Sequence, residues 1–225
     1  MAEFAAVPML DAPEPLAILA GGGSLPRIVA AAAQRAGRPV LILGLEGEAD
    51  DSITSFPHRW LDWGDVGRAL AAIRRHQARD VVIVGWISRR PDFRSLKLDR
   101  GGRLAKDAIV GIFDGGDNAV LLGAVGLFEK RGFRVVGAHE VARELVAPAG
   151  LLTRRPPSDD ERRDADLAFE AAKAIGSLDI GQAAAAVNGR VVALEGAEGT
   201  DGMLERVGTM RQNRRISWEG RAAPP

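Results

Sequence analysis

The sequence predicts an α/β protein in two parts: a first domain built on a mostly parallel sheet flanked by helices, and a second, incomplete α/β domain. Three observations predict it. Short apolar runs such as Leu16-Ala17-Ile18-Leu19-Ala20 and Val81-Val82-Ile83-Val84 alternate with helically spaced segments, the pattern of strands covered on both faces by crossover helices. Ala147-Pro148-Ala149-Gly150, with Pro156-Pro157 just beyond, interrupts that alternation as a linker does. Beyond the break only a helix, one hairpin and a short helix can be read, and two strands alone are marginal in water.

The elements follow in order. Residues 1–15 read as a flexible tail: Glu3 and Asp11 stand where a secretory signal carries a basic region, and no long apolar stretch follows. Leu16 to Ala20 is the first strand, Gly21-Gly22-Gly23 a tight turn, and Leu25 to Ala36 a helix closed by Gly37. Pro39 to Leu43 is the second strand. Val66, Leu70 and Ile73 give Asp65 to His76 a helical face, and Asp80 to Gly85 is another buried strand. Arg89 to Gly102, rich in charge and holding Pro91, reads as a long surface loop. Helices at Leu104 to Phe113 and Asn118 to Arg131 and a strand at Phe133 to Val136 complete a first domain over 16–147. The linker is 148–157 and the partial second domain 158–225. There Ser158 caps a helix running to about Ile175, with Asp159, Asp160 and Glu161 in its first turn. Strands at Gln182 to Val187 and Arg190 to Leu194 flank Asn188-Gly189, a strong hairpin signal, and a short helix spans about Asp201 to Arg211.

Composition narrows the chemistry. The 225 residues are 46% hydrophobic, enough to bury a core. Thirty basic residues balance thirty acidic ones, so no global field recruits nucleic acid, and nucleic acid is not an expected partner. The absence of cysteine excludes disulfides, thiolate zinc sites and a cysteine nucleophile, and fits a reducing, cytoplasmic setting. No run of apolar residues reaches the roughly 18 of a spanning helix. If the substrate is a lipid, it is expected to be met by a soluble or peripheral enzyme.

Several groups of residues carry possible chemistry. Gly21-Gly22-Gly23-Ser24-Leu25-Pro26 sits between a strand and a helix, where backbone amides can receive a phosphate. The dinucleotide fingerprint, however, requires a glycine where Pro26 stands, and no lysine-serine pair makes a P-loop. A packing turn is the other reading. Glu46, after the second strand, can imitate a ribose-binding acid. Asp114-Gly115-Gly116-Asp117-Asn118 opens a helix, either as a magnesium- or ribose-binding turn or with Asp117 as a simple N-cap. Glu195-Gly196-Ala197-Glu198-Gly199-Thr200-Asp201-Gly202 places three carboxylates and a hydroxyl on a glycine-rich turn. Such oxygens suit magnesium, which can bridge and orient a pyrophosphate; a helix cap by Thr200 or Asp201 explains them equally. His58, His76 and His139 are scattered without zinc or nucleophile-base spacing. Trp60 and Trp63 bracket Asp62 and suit a half-buried strand or a base platform. Arg89 and Arg90, beside Pro91, suit a phosphate clamp or simple solvation.

These segments together resemble the I-type UDP-2,3-diacylglucosamine pyrophosphatases of the lipid A pathway of Gram-negative bacteria, from about Leu16 to Arg211. The resemblance is carried by the Gly21 to Pro26 turn, Gly85-Trp86 with Arg90-Pro91, Gly132 to Glu140, and Leu151-Leu152-Thr153. Most specific are Leu178-Asp179-Ile180-Gly181-Gln182, Glu195 to Asp201 and Gly202-Met203-Leu204. It implies a Rossmann-like N-terminal domain, an α/β C-terminal domain, and hydrolysis of UDP-2,3-diacylglucosamine to UMP and 2,3-diacylglucosamine 1-phosphate with magnesium or another divalent metal. The lipid-linked nucleotide sugar is the implied partner, beside inner-membrane contact and self-association. By position, Gly21, Gly22, Gly23, Ser24, Leu25, Pro26, Gln182 and Thr200 are the expected substrate-binding residues, and Glu195, Glu198 and Asp201 the expected metal ligands. Two departures stand out. Asn118 occupies a place where the family usually has a second acid. The segment holding the family's catalytic aspartate is expected beyond Pro225, so no catalytic residue is assigned and hydrolysis by these 225 residues is expected to be impaired. Two other readings remain: a non-catalytic module binding a nucleotide or lipid phosphate, and an NAD-dependent oxidoreductase, against which Pro26 and the lack of an evident acid-base pair count.

Overall fold

A computed structural model describes residues 13–88, 96–104 and 117–216. The chain divides into two compact units, Met1–Gly115 with Ala119–Ala147, and Gly116–Asn118 with Pro148–Pro225.

In the first unit β1 (Leu16–Ala20), β2 (Val40–Leu45), β3 (His58–Leu61), β4 (Asp80–Val84) and β5 (Arg134–Val135) form one parallel sheet in the order β3-β2-β1-β4-β5. The apolar run of β1 lies against β2 and β4 at the sheet centre, where every residue of a strand meets core on one face or the other. Leu16, Ile18, Val40, Ile42 and Val82 pack on one side with Val29, Ala30 and Ala33 of α1 (Leu25–Arg35). Ala17, Leu43 and Val81 pack on the other with Ala69, Leu70 and Ile73 of α2 (Val66–Arg75) and with Phe128 and Phe133. This two-sided burial is the α/β class that the sequence predicts.

Most of the other elements of this unit are short. A 3₁₀ turn at Asp51–Ser55, missed by periodicity, drops Ile53 into the space above Gly44 that a side chain there would fill. Helix α3 (Arg100–Leu104) corrects the reading of Arg100 to Gly102 as loop. Asp99 serves both helix starts: it accepts from Gly67 N–H at 3.1 Å and Arg68 N–H at 2.9 Å at the start of α2, and locally from Gly102 N–H at 2.6 Å in α3. Helix α4 spans Asp117–Glu129, and α5 the short Ala138–Val141. Residues 1–12 of the expected tail, Arg89-Arg90-Pro91, most of the Leu104 to Phe113 helix, Asp114-Gly115-Gly116 and residues 217–225 lie outside the described residues.

One buried charge stands out. Asp80, at the start of β4, is 2% exposed. It receives Arg134 in a two-bond fork, Nε at 2.7 Å and Nη2 at 2.8 Å, and Arg38 Nη2 at 2.7 Å. These hydrogen bonds, Arg134 foremost, hold its carboxyl below the ordinary carboxylate range against the opposing effect of burial.

The second unit contains α6 (Asp159–Ser177), the antiparallel pair β6 (Ala184–Val187) and β7 (Arg190–Leu194), and α7 (Gly199–Gln212). Ser158 and Glu161 form the capping box at the start of α6, and Arg155 pairs with Glu161 at 2.8 Å. The Arg155 guanidinium and the Ser158 amide lower the Glu161 pKa to about 2. At the hairpin, Asn188 and Gly189 both take positive φ, 52° and 72°, as a type I′ turn demands. Asp164 of α6 accepts from Asn188 N–H at 2.9 Å and from Gly189 N–H at 2.6 Å, tying helix to turn.

Candidate active site

The strand order reverses direction at β1, so the carboxyl ends of β1 and β4 mark the crevice where open α/β sheets meet their ligands. The Gly21-Gly22-Gly23 turn leaves β1 here, but it is not an open cradle. Gly22 N–H donates to Trp86 O at 2.8 Å and Trp86 N–H returns to Gly22 O at 3.1 Å, bridging the turn to the segment after β4. A Cβ on Gly21 would stand 2.4 Å from Trp86 O, and one on Gly22 would stand 2.7 Å from the Trp86 indole. The glycines are therefore required by the close approach of Trp86. Its indole roofs the turn while remaining 58% exposed.

Two acids close the same end. Gly23 N–H donates to Asp50 at 2.7 Å, so one amide expected to receive an anion already holds a carboxylate. Glu48 accepts from Ser88 N–H at 2.6 Å and from Ser88 Oγ at 3.1 Å. Glu46, the suggested ribose acid, is exposed at the end of β2. Of the expected substrate residues, Gly21, Gly22 and Pro26 are buried in the turn and helix start, whereas Ser24 and Leu25 are exposed. Ser24 makes no side-chain cap, and Pro26 offers no N–H, so the first turn of α1 keeps an open polar end with fewer donors than a dinucleotide loop.

In the second unit, three expected residues meet at one carboxylate. Glu195, just past β7, accepts from Gln182 N–H at 2.8 Å and from Thr200 Oγ1 at 2.8 Å. The approach is close because position 181 is glycine: a Cβ there would lie 2.4 Å from Glu195 O. Glu198 turns instead to Arg206, at 2.5 Å. Its pKa lies below the ordinary value, owing first to a backbone hydrogen bond at its own residue and then to Arg206. Asp201 is exposed in the first turn of α7. Among the described residues no three His, Cys, Asp or Glu side chains gather as a metal-holding group. As folded, Glu195, Glu198 and Asp201 do not fit a cation together: the first two spend their oxygens on separate partners.

Among the described residues no helix is long and apolar enough to cross a membrane. Sequence reasoning missed Trp86 as the roof of the turn and missed Asp50 and Glu48 altogether. The Gly85-Trp86 pair at a strand end was the available signal for the first; nothing local signals the acids, whose partners lie 27 and 40 residues away.

The sheet order and the glycine turn at its switch point define an α/β protein of the class that meets ligands beyond the strand ends, joined to a second small α/β unit. Comparison with known proteins sharpens this. Residues 15–145 match the family model of the LpxI N-terminal domain and residues 148–218 that of the LpxI C-terminal domain. The UDP-2,3-diacylglucosamine pyrophosphatase LpxI of Caulobacter vibrioides is 36% identical over 216 residues, covering 93% of this chain and 77% of that protein. The chain belongs to the LpxI family.

Proposed function

We propose that this protein hydrolyses the pyrophosphate of UDP-2,3-diacylglucosamine. Water adds to one phosphorus, the bridging P–O bond breaks, and UMP and 2,3-diacylglucosamine 1-phosphate leave. The observation that carries the reading is the match of both units, in order, to the two LpxI domains, alongside a 36% identical relative that bears this activity in its name. The geometry supports it at two points. The exposed Trp86 indole at the sheet's switch point is a surface on which a nucleobase can stack, beside the open first turn of α1 at Ser24 and Leu25. The Gln182–Glu195–Thr200 group is a pre-ordered polar corner on which a substrate hydroxyl or phosphate can be positioned.

Finer parts of the proposal rest on the family resemblance. Magnesium or another divalent metal supports turnover; for Glu195 and Glu198 to hold it, their present partners must be exchanged for the ion. The protein acts in the cytoplasm, at the inner-membrane face where a lipid-linked substrate lies, with 148–157 as the linker between its domains.

The test is the release of UMP from UDP-2,3-diacylglucosamine by purified protein, with and without EDTA. UMP formed at one equivalent per 2,3-diacylglucosamine 1-phosphate, and abolished by EDTA, supports the whole reading; EDTA-resistant release removes the metal and leaves the reaction. Saturable UMP binding with no turnover under any condition favours a binding module instead.

A further inference from the structure

A second concave site lies away from the switch point, on the outer edge of the first unit's sheet. Strand β3 is the edge strand. Side chains alternate along it: Trp60 packs into the core with α1, while Leu61 packs into the core with α2. Arg59, sharing the parity of Leu61, therefore lies on the α2 side. On α2 the residues Arg68, Ala71, Ala72 and Arg75 follow helical three- and four-residue spacing, so they share one flank. Two turns, roughly 10 Å, separate the two arginine positions, and alanines occupy the interval, so no bulky side chain fills it. The result is an open groove of about 400 Å³ lined by Arg59, Trp60, Leu61, Arg68, Ala71, Ala72 and Arg75.

Among the described residues that line it, three are arginines and none is acidic. Asp65 reaches Arg68 at 3.1 Å from the helix start. That contact offsets one charge and orients one guanidinium, leaving the positive charge of Arg59 and Arg75 as the groove's excess. Like charges gathered on a concave surface repel one another, and the unfavourable term is relieved when an anion enters. Guanidinium forks match phosphate oxygens in geometry as well as charge. The volume falls within the range of small-molecule sites, larger than a bare phosphate requires.

We propose that this groove binds a phosphate-bearing ligand, its phosphate held by Arg59 and Arg75 with Arg68 at the side, and its organic part lying over the alanine interval at Ala71 and Ala72. The site shares no residue with the β1–β4 crevice or with the Glu195 group, so it is a binding site additional to the one that performs hydrolysis.

The experiment uses the 225-residue chain. Inorganic phosphate and glycerol 3-phosphate are titrated by calorimetry, and co-sedimentation is measured with phosphatidylglycerol and with phosphatidylcholine vesicles. The wild type, Arg59→Ala/Arg75→Ala and Arg59→Lys/Arg75→Lys are compared. All three side chains are exposed, so melting curves should stay close to wild type; the single variants Arg59→Gln and Arg75→Gln serve if the double alanine variant does not fold. Saturable binding of the soluble phosphates, weakened tenfold or more by the alanine pair and partly kept by the lysine pair, supports the site with a free phosphorylated ligand. Sedimentation with phosphatidylglycerol but not phosphatidylcholine, lost in the same variants, supports it with a lipid headgroup as the source. Binding of neither probe by the wild type, or equal binding by wild type and alanine variants, overturns it.

Discussion

Gly21→Ala tests the architecture of the switch point most sharply. The added Cβ would lie 2.4 Å from Trp86 O, 3.1 Å from Gly85 C and 3.2 Å from Trp86 C. All three are backbone atoms of the neighbouring strand end, so no side chain can swing aside to make room. Relief requires that the segments after β1 and β4 separate. The first bonds lost are Gly22 N–H to Trp86 O and Trp86 N–H to Gly22 O. Each is worth about 0.5–1.5 kcal/mol net, and overpacking in a tight contact costs about 1–3 kcal/mol. Because both costs describe one displacement they do not add in full, and about 2–3 kcal/mol is expected. At 2–4 °C per kcal/mol for a domain of this size, the first unit's melting transition should fall by roughly 4–12 °C. Calorimetry reads the shift, and tryptophan fluorescence reads the displaced indole, a signal that should vanish in a Trp86→Phe background. Gly47→Ala is the control: its φ of +79° carries a backbone penalty, but its Cβ meets open space. A Gly21→Ala protein that melts within about 2 °C of wild type with unchanged fluorescence would show that the turn is not clamped by Trp86.

Three further outcomes follow from side chains outside that crevice. Asp80→Asn should destabilise the first unit by about 3 kcal/mol in urea, the lower end for a broken buried pair because Arg134 remains largely exposed; a loss under about 0.5 kcal/mol, the size of an ordinary surface change, would mean the arginine clamp does little. Acid should destabilise the wild type through Asp80 and Glu161, both held below their ordinary values. Their stabilisation is complete above an unfolded value of about 4 and is lost as pH falls, for Glu161 between about 4.3 and about 2. Urea midpoints measured down this range should decline less steeply in Asp80→Asn than in wild type. Glu195→Ala should speed amide exchange at Gln182 by about tenfold, as expected for losing a charge-assisted bond of about 1.5 kcal/mol, with little change at Asn188 and Gly189, which answer to Asp164 instead.

What was legible in the sequence was local. The apolar run at Leu16 to Ala20, the helical spacing of Val66, Leu70 and Ile73, the Ser158–Glu161 box and Asn188-Gly189 each carry their own cause within a few residues. What escaped depends on distant partners. Asp80 reads as the polar first residue of a strand, and only the fold brings it Arg38 and Arg134 from 42 and 54 residues away. Asp99 lies in a charged stretch whose capping of α2 spans 32 residues. The glycine turn shows the same limit at the site: its sequence suggests a phosphate cradle, whereas Trp86 and Asp50 occupy much of what a cradle would offer. Gln182, Glu195 and Thr200 were recognisable through a family pattern, but their mutual hydrogen bonds, and the turn of Glu198 toward Arg206, follow from backbone geometry around Gly181 and α7.

The most direct measurement is UMP release from UDP-2,3-diacylglucosamine by the purified protein, followed side by side with the Caulobacter relative as the reference. The expected result is UMP and 2,3-diacylglucosamine 1-phosphate formed in equal amounts as the substrate is consumed. No UMP from this protein, under conditions in which the relative releases it, would contradict the pyrophosphatase reading.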